Sequence, residues 1–314
     1  MTPLPQAFFG QPKGLALGGT GLAGVGDQDN ADRLVAAAWA DGVRYFDTAP
    51  MYGGGVSERL LGRALAGYPR DALVLGSKVG RLVRGDEPVG PGEDPRWRWD
   101  FSADGVRRSV EESLQRLGTD HLDYALVHDP DDFLAEALHE THPALERLRD
   151  EGVVRAVGAG VTRVPTLLHL LGRVRLDLAL LAGRLSLVDG EAAQTVLPEV
   201  ATQGVRLVVA SALHAGLVGG PGSGELHYVP TPPEVVARVA ALREVCDQHQ
   251  TPLGAVALQL VLAVPEVAMV LTGAADVGQW RQNLGWSRFP VPPGLWSELV
   301  ERDLLPFALP AALR

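Results

Sequence analysis

Ala72-Leu-Val-Leu-Gly-Ser-Lys78 and Val205-Arg-Leu-Val-Val-Ala-Ser211 decide the fold: each is a short, almost continuously apolar run that ends on a polar residue. Such runs belong to parallel strands covered on both faces, since a half-exposed antiparallel strand alternates apolar with polar residues. Working outward, the same pattern recurs at Gly14–Gly19, Arg44–Thr48, Leu73–Lys78, Leu122–His128, Arg155–Gly160, Leu176–Ala182, Val205–Ser211 and Val267–Leu271. Amphipathic stretches lie between the runs. Asn30 to Asp41 places Leu34, Ala37 and Ala38 on one helical face and stops at Gly42; Ser102 to Leu117 stops at Gly118, and Ala144 to Glu151 at Gly152. Ser57 is expected to cap the helix that follows it.

Eight strand-helix repeats with no linker or low-complexity tract predict α/β architecture: a (β/α)8 TIM barrel, with residues 1–314 forming one domain. The segments 80–100 and 214–233, rich in Gly and Pro, are expected to be long loops over the mouth at the C-terminal strand ends. The 314 residues carry 28 basic and 38 acidic side chains, a net charge of −10, without a basic block, so nucleic acid and anionic membrane are not expected partners. The single cysteine, Cys246, excludes an internal disulfide and reads as a buried thiol. The N-terminus shows no signal-peptide pattern and no apolar run is long enough to span a bilayer, which together predict a cytoplasmic protein. His121, His139, His142, His169, His227 and His249 show neither HxH nor HExxH spacing, so no metal site is expected.

Gly19-Thr20-Gly21-Leu22-Ala23-Gly24 matches the dinucleotide fingerprint GxGxxG, with Asp47 at the next strand end. A Rossmann site needs a helix starting at those glycines, whereas the polar stretch Val25-Gly26-Asp27-Gln28-Asp29 follows and argues against one. A second constellation is more specific: Asp47, Lys78 and His128 close the second, third and fourth runs, and Tyr52 lies five residues beyond Asp47. In a barrel these ends meet at one mouth. Lys13 and Lys78 are the only lysines; one kept at a strand end suggests a task for a compact ammonium. Lys78 would lower the pKa of the Tyr52 phenol, Asp47 would hold Lys78 charged, and neutral His128 would donate a hydrogen bond to a substrate oxygen. These residues suit carbonyl reduction or its reverse, with the hydride coming from a nicotinamide or flavin.

The segments Gly42-Val-Arg-Tyr-Phe-Asp-Thr-Ala-Pro-Met-Tyr-Gly53, Glu58-Arg-Leu-Leu-Gly-Arg-Ala-Leu65 and Ser77-Lys78 resemble the aldo-keto reductase superfamily. Trp99-Asp-Phe-Ser102, Asp123-Tyr-Ala-Leu-Val-His-Asp-Pro130 and Leu181-Ala-Gly-Arg184 are similar to its aldose 1-dehydrogenase branch. The resemblance spans essentially the whole chain. It implies an NAD(P)-dependent oxidoreductase with Asp47, Tyr52, Lys78 and His128 as catalytic tetrad. The dinucleotide would contact Gly19 and Thr20, Thr162, Ser211, Leu213 and Gly216, then Gly273, Ala274, Ala275, Gln279 and Asn283. Where NADPH-type members carry cations, this chain has Gly273-Ala-Ala-Asp276 and Gln279, which favours NAD(H), although Arg281 is near. The family's Ser-Asn pair after strand five reads Gly160-Val-Thr162, with Thr162 as substitute, and its stacking aromatic after strand seven is Ala210 or Ser211. Met51, Trp97, Trp99, Leu185 and His214 are expected on the substrate wall. Three functions remain open: oxidation of an alcohol or sugar hemiacetal to a carbonyl or lactone, biosynthetic reduction of a ketone on a larger apolar metabolite, and non-catalytic dinucleotide binding by a regulatory protein.

Overall fold

The computed structural model describes residues 14–85, 94–220, 225–226 and 229–314. All eight apolar runs form strands: β1 Gly14–Gly18, β2 Tyr45–Asp47, β3 Val74–Val79, β4 Tyr124–His128, β5 Val157–Val161, β6 Leu178–Ala182, β7 Arg206–Ala210 and β8 Val267–Gly273. They pair in parallel in sequence order, and β1 closes the ring against β8, Gly14–Gly18 lying beside Met269–Gly273. The helices surround this barrel. Several strands start later than their apolar runs; Leu122, for example, makes only an isolated bridge to Val154 before β4 begins.

Alternation along each strand separates two cores. Inward-pointing Ala16, Tyr45, Val74, Tyr124, Leu126, Leu178, Leu180, Val208, Met269 and Leu271 fill the barrel. Outward-pointing Leu17, Phe46, Leu75, Val127, Leu181 and Val209 pack beneath the helices. The helix Gln28–Ala40 begins at Asp27, whose carboxylate accepts from the Asp29 N–H, and buries Ala31, Leu34, Val35 and Ala38. Ser102 caps Ala103–Leu117 by accepting from the Gly105 N–H, and Gly118 ends that helix at φ 67°.

Three local expectations are corrected. A helix does start at the glycine fingerprint, Thr20–Val25, but ends after six residues at left-handed Gly26. The Gly19 N–H donates to the Asp47 carbonyl (2.8 Å), so the fingerprint ties β1 to β2. Ser57 does not cap its helix, which spans Val56–Leu65 and starts at left-handed Gly55. Its hydroxyl instead donates to the Gly19 carbonyl (2.8 Å) and pairs with Thr48 Oγ1. The segment 80–100 is not loop throughout, because Arg81–Val83 and Trp97–Trp99 form an antiparallel ribbon; residues 86–93 lie outside the described residues. In 214–233, His214–Gly216 forms a 3-10 turn and Glu225–Leu226 pairs with Val229–Pro230. Positions 221–224, 227 and 228 lie outside the described residues, His227 among them.

Candidate active site

The inward parity that places Tyr45 and Tyr124 in the barrel also turns Asp47, Lys78 and His128 inward, at the C-terminal ends of β2, β3 and β4. Asp47 and Lys78 are 1% and 2% exposed, conditions in which an unpaired charge would be prohibitive. They pair with each other: Lys78 Nζ donates to Asp47 Oδ1 (2.5 Å) and to the Thr48 carbonyl (2.9 Å). Burial pulls the Lys78 pKa down, but the Asp47 carboxylate and the Tyr52 phenol outweigh it and leave the ammonium raised above its ordinary value.

Tyr52 enters from the loop after β2. Gly53, Gly54 and Gly55 all have positive φ (65°, 61° and 79°), a turn that side chains resist, and it folds the chain back into the next helix. Half-buried Tyr52 thereby brings its ring centroid to 4.9 Å from Lys78 Nζ and 6.1 Å from the His128 ring, edge-on. His128 is held well below the usual imidazole range, by burial first and then by the Arg81 and Lys78 charges, and is therefore neutral at physiological pH. The four side chains expected to meet do meet, in an arrangement suited to transferring a proton at a substrate oxygen.

Arg81 and Asp129 join them without having been singled out from sequence. Arg81, 8% exposed, donates to Asp129 Oδ2 (3.2 Å) and to the Met51 sulfur, while Trp97 and Trp99 lie 5.1 and 4.3 Å from its guanidinium. Asp129 follows His128 at φ 43°, strained for a non-glycine residue; its Oδ1 accepts from the Thr162 N–H (3.0 Å) and its Oδ2 lies 3.7 Å from His128 Nε2. The adjacency of His128 and Asp129 was the available sequence signal, whereas Arg81 was concealed in a segment read as loop. Met51, Trp97 and Trp99 thus gather at one corner of the mouth. Leu185 does not: it is fully buried in the outer core and presents no surface to a substrate. His214 is 5% exposed and hydrogen-bonded through Nε2 to Ser186 Oγ (2.7 Å), an interior position that also departs from the expected substrate wall.

Of the residues expected around the dinucleotide, Gly19 is a packing glycine: a Cβ there would come within 2.4 Å of Ser57 Oγ. Thr20 is exposed beside it. Thr162 is half-buried after β5, and its carbonyl accepts from Arg184 Nε (2.9 Å). Beyond β7, Ser211 is exposed at φ 57°, Leu213 is half-buried and Gly216 has φ 92°. Gly273 ends β8 facing open space. Ala274 is buried, and the Ala275 N–H donates to the Gln279 side chain (2.9 Å). Asp276 caps the helix Val277–Ser287 by accepting from the Gln279 N–H (2.8 Å). Buried Asn283 donates from Nδ2 to the Gly273 carbonyl (3.3 Å). One turn further, Trp286 lines a cavity of about 390 Å³ with Gly219, Arg243, Asp247 and Gly254. Among the described residues, no cluster of His, Cys, Asp and Glu is arranged to hold a metal ion, and no helix is long and apolar enough to cross a membrane.

A closed parallel barrel with an Asp-Tyr-Lys-His cluster at its mouth defines the class, and the chain belongs to the aldo/keto reductase family, whose model matches residues 14–302. It is 37% identical over 309 residues to D-threo-aldose 1-dehydrogenase of a Pseudomonas species, covering 92% of this chain and 94% of that protein. It is 35% identical to pyridoxal 4-dehydrogenase of Microbacterium luteolum, covering 91% of each. The backbone matches the holo form of aldo-keto reductase AKR11C1 from Bacillus halodurans with a TM-score of 0.75 at 27% identity, covering 96% of this chain and 94% of that one. The protein is an NAD(P)-dependent oxidoreductase.

Proposed function

We propose that the protein oxidises a hydroxylated small molecule, an alcohol or sugar hemiacetal, to the carbonyl or lactone, with Tyr52 as general base and the same residue as general acid in reverse. The observation that carries this reading is the placing of the Lys78 ammonium, fixed by Asp47, 4.9 Å from the Tyr52 ring. The fixed cation faces the phenol that accepts the hydroxyl proton. Neutral His128 donates to the same substrate oxygen and aligns the reacting carbon. The nicotinamide, when bound, accepts or supplies the hydride. Arg81 and Asp129 offer donors and acceptors for neighbouring hydroxyls beside the Trp97 and Trp99 faces, which supports a polar substrate over a large apolar metabolite. The two relatives named as dehydrogenases support the oxidative direction.

The residues present fit a dinucleotide. Thr162 would take the nicotinamide amide; Ser211, Leu213 and Gly216 would flank the pyrophosphate; and the open backbone at Gly273, with Ala274 and Ala275, leads to Asn283, whose anchored amide leaves its other edge for the adenine. NAD(H) is the cofactor proposed, because the helix start at Asp276 and Gln279 offers a carboxylate and an amide in place of the cations that a 2′-phosphate demands. The test is an aldose screen with NAD⁺, repeated with Tyr52→Phe. Turnover is expected to fall by about 10²-fold or more while dinucleotide affinity holds; retained turnover would remove Tyr52 from its role.

A further inference from the structure

Asp47 has a second carboxylate oxygen, and the catalytic cluster leaves it to the barrel interior. Tyr124 Oη donates to Asp47 Oδ2 (2.8 Å) from the first residue of β4, two strands away. The reach is possible because Gly76 lies between: it pairs with Asp47 on one side and with Tyr124 on the other. A Cβ at Gly76 would fall 1.8 Å from the Tyr124 ring, so the phenol occupies the space that a side chain on β3 would otherwise fill. Tyr45 stacks on its other side, with centroids 5.2 Å apart. We infer that Tyr124 is a positioning residue of the active site, holding Oδ2 of Asp47 so that Oδ1 holds Lys78 against Tyr52. This inference rests on the proton-transfer role proposed for Tyr52.

Burial pushes the Tyr124 phenol well above its ordinary pKa, so it stays protonated and must donate. Without that O–H, Oδ2 would be a buried anionic oxygen lacking a donor, and the carboxylate would draw harder on Lys78. The ammonium would then be held less effectively against the Tyr52 phenol, 4.9 Å away, through which the proton passes. The other charged and titratable groups facing this cluster are Arg81 and His128 at the mouth and Tyr45 inside, with Asp123 and Asp129 at its two ends; Tyr124→Phe leaves all of them in place.

The experiment uses Tyr124→Phe, which retains the ring and its stack. Turnover at neutral pH is expected to fall about tenfold, equivalent to ~1.4 kcal/mol. The pH profile of oxidation should move to higher pH, with substrate KM and dinucleotide affinity unchanged. Tyr45→Phe, which spares the Asp47 bond but removes the phenol hydrogen-bonded to the Tyr124 hydroxyl, should move the profile less than Tyr124→Phe does. An apoprotein readout separates this inference from the enzyme reading: the alkaline absorbance titration of Tyr52, isolated by difference against Tyr52→Phe, should shift upward in the Tyr124→Phe background even if no substrate is ever turned over. A folded variant with an unmoved titration would overturn the inference. So would additive effects of Tyr124→Phe and Asp47→Asn, since a residue acting only through Asp47 must be non-additive with it. If Tyr124→Phe does not fold, fluorotyrosine incorporated at position 124 decides the matter: a more acidic phenol donates more strongly and should move the Tyr52 titration downward, and no movement would overturn the inference.

Discussion

Arg81 illustrates how one residue combines several forces. Its guanidinium is buried, stacked near two indoles and paired with Asp129, and its Nε has no partner among the described residues. Replacing it with lysine keeps the charge but loses the planar fork and the aromatic contact. Arg81→Lys should therefore raise KM for a polyhydroxylated substrate about tenfold while changing it little for a simple aldehyde, measurable by steady-state kinetics on the two substrates. Asp47, Lys78 and His128 were legible in the sequence because each closes an apolar run, and a strand end in a barrel is a fixed place. Arg81 and Tyr124 were not. Which partners face them depends on cross-strand register and on the ribbon Arg81–Val83, neither of which apolar periodicity records.

Among the elements, buried Glu58 binds three together. From the helix Val56–Leu65 it accepts from Ser77 of β3 (2.7 Å) and from Arg116 of the helix Ala103–Leu117 (2.6 Å), with its own side chain fully buried. Removing one partner of such a pair strands the other charge, so Glu58→Ala is expected to cost about 3–5 kcal/mol, to be read from urea unfolding. The two helices also meet at Gly62, where a Cβ would fall 2.4 Å from the Leu117 carbonyl. At the start of the last barrel helix, Gln279→Arg should introduce a cation where Gln279 now folds back on the Ala275 N–H. Its expected result is tighter NADPH binding and weaker NADH binding by fluorescence titration. Helix endings at Gly118 and Gly152 were readable from glycine. The helix start at Gly55 was missed, because Ser57 resembles a cap locally while its hydroxyl is taken by Gly19 and Thr48 from other parts of the chain.

For the whole molecule, acidity should be the weak side. The folded protein holds His128 neutral below its ordinary pKa of about 6.5, so on acidification the unfolded chain takes up a proton that the folded chain refuses. Stability therefore falls as pH drops below about 6.5, by at most ~1.4 kcal/mol per pH unit from this group. Thermal melts between pH 7 and pH 5 should show the decline, and His128→Asn should flatten it. Lys78 acts in the opposite range: its raised folded pKa contributes stability that is complete below its ordinary value and lost only as pH rises through the folded one. The eight-strand architecture itself was legible, because alternation of apolar runs and amphipathic stretches survives every local misreading of a cap or loop.

Closure of the ring by β1 against β8 sets a schedule for the newborn chain. The partner of Gly14–Gly18 is Met269–Gly273, so during synthesis β1 waits with one edge unpaired until β8 has left the ribosome. Truncation before Met269 should yield a product that chaperones retain or proteases remove, and codons that slow translation would lengthen the interval in which that edge is open to other nascent chains.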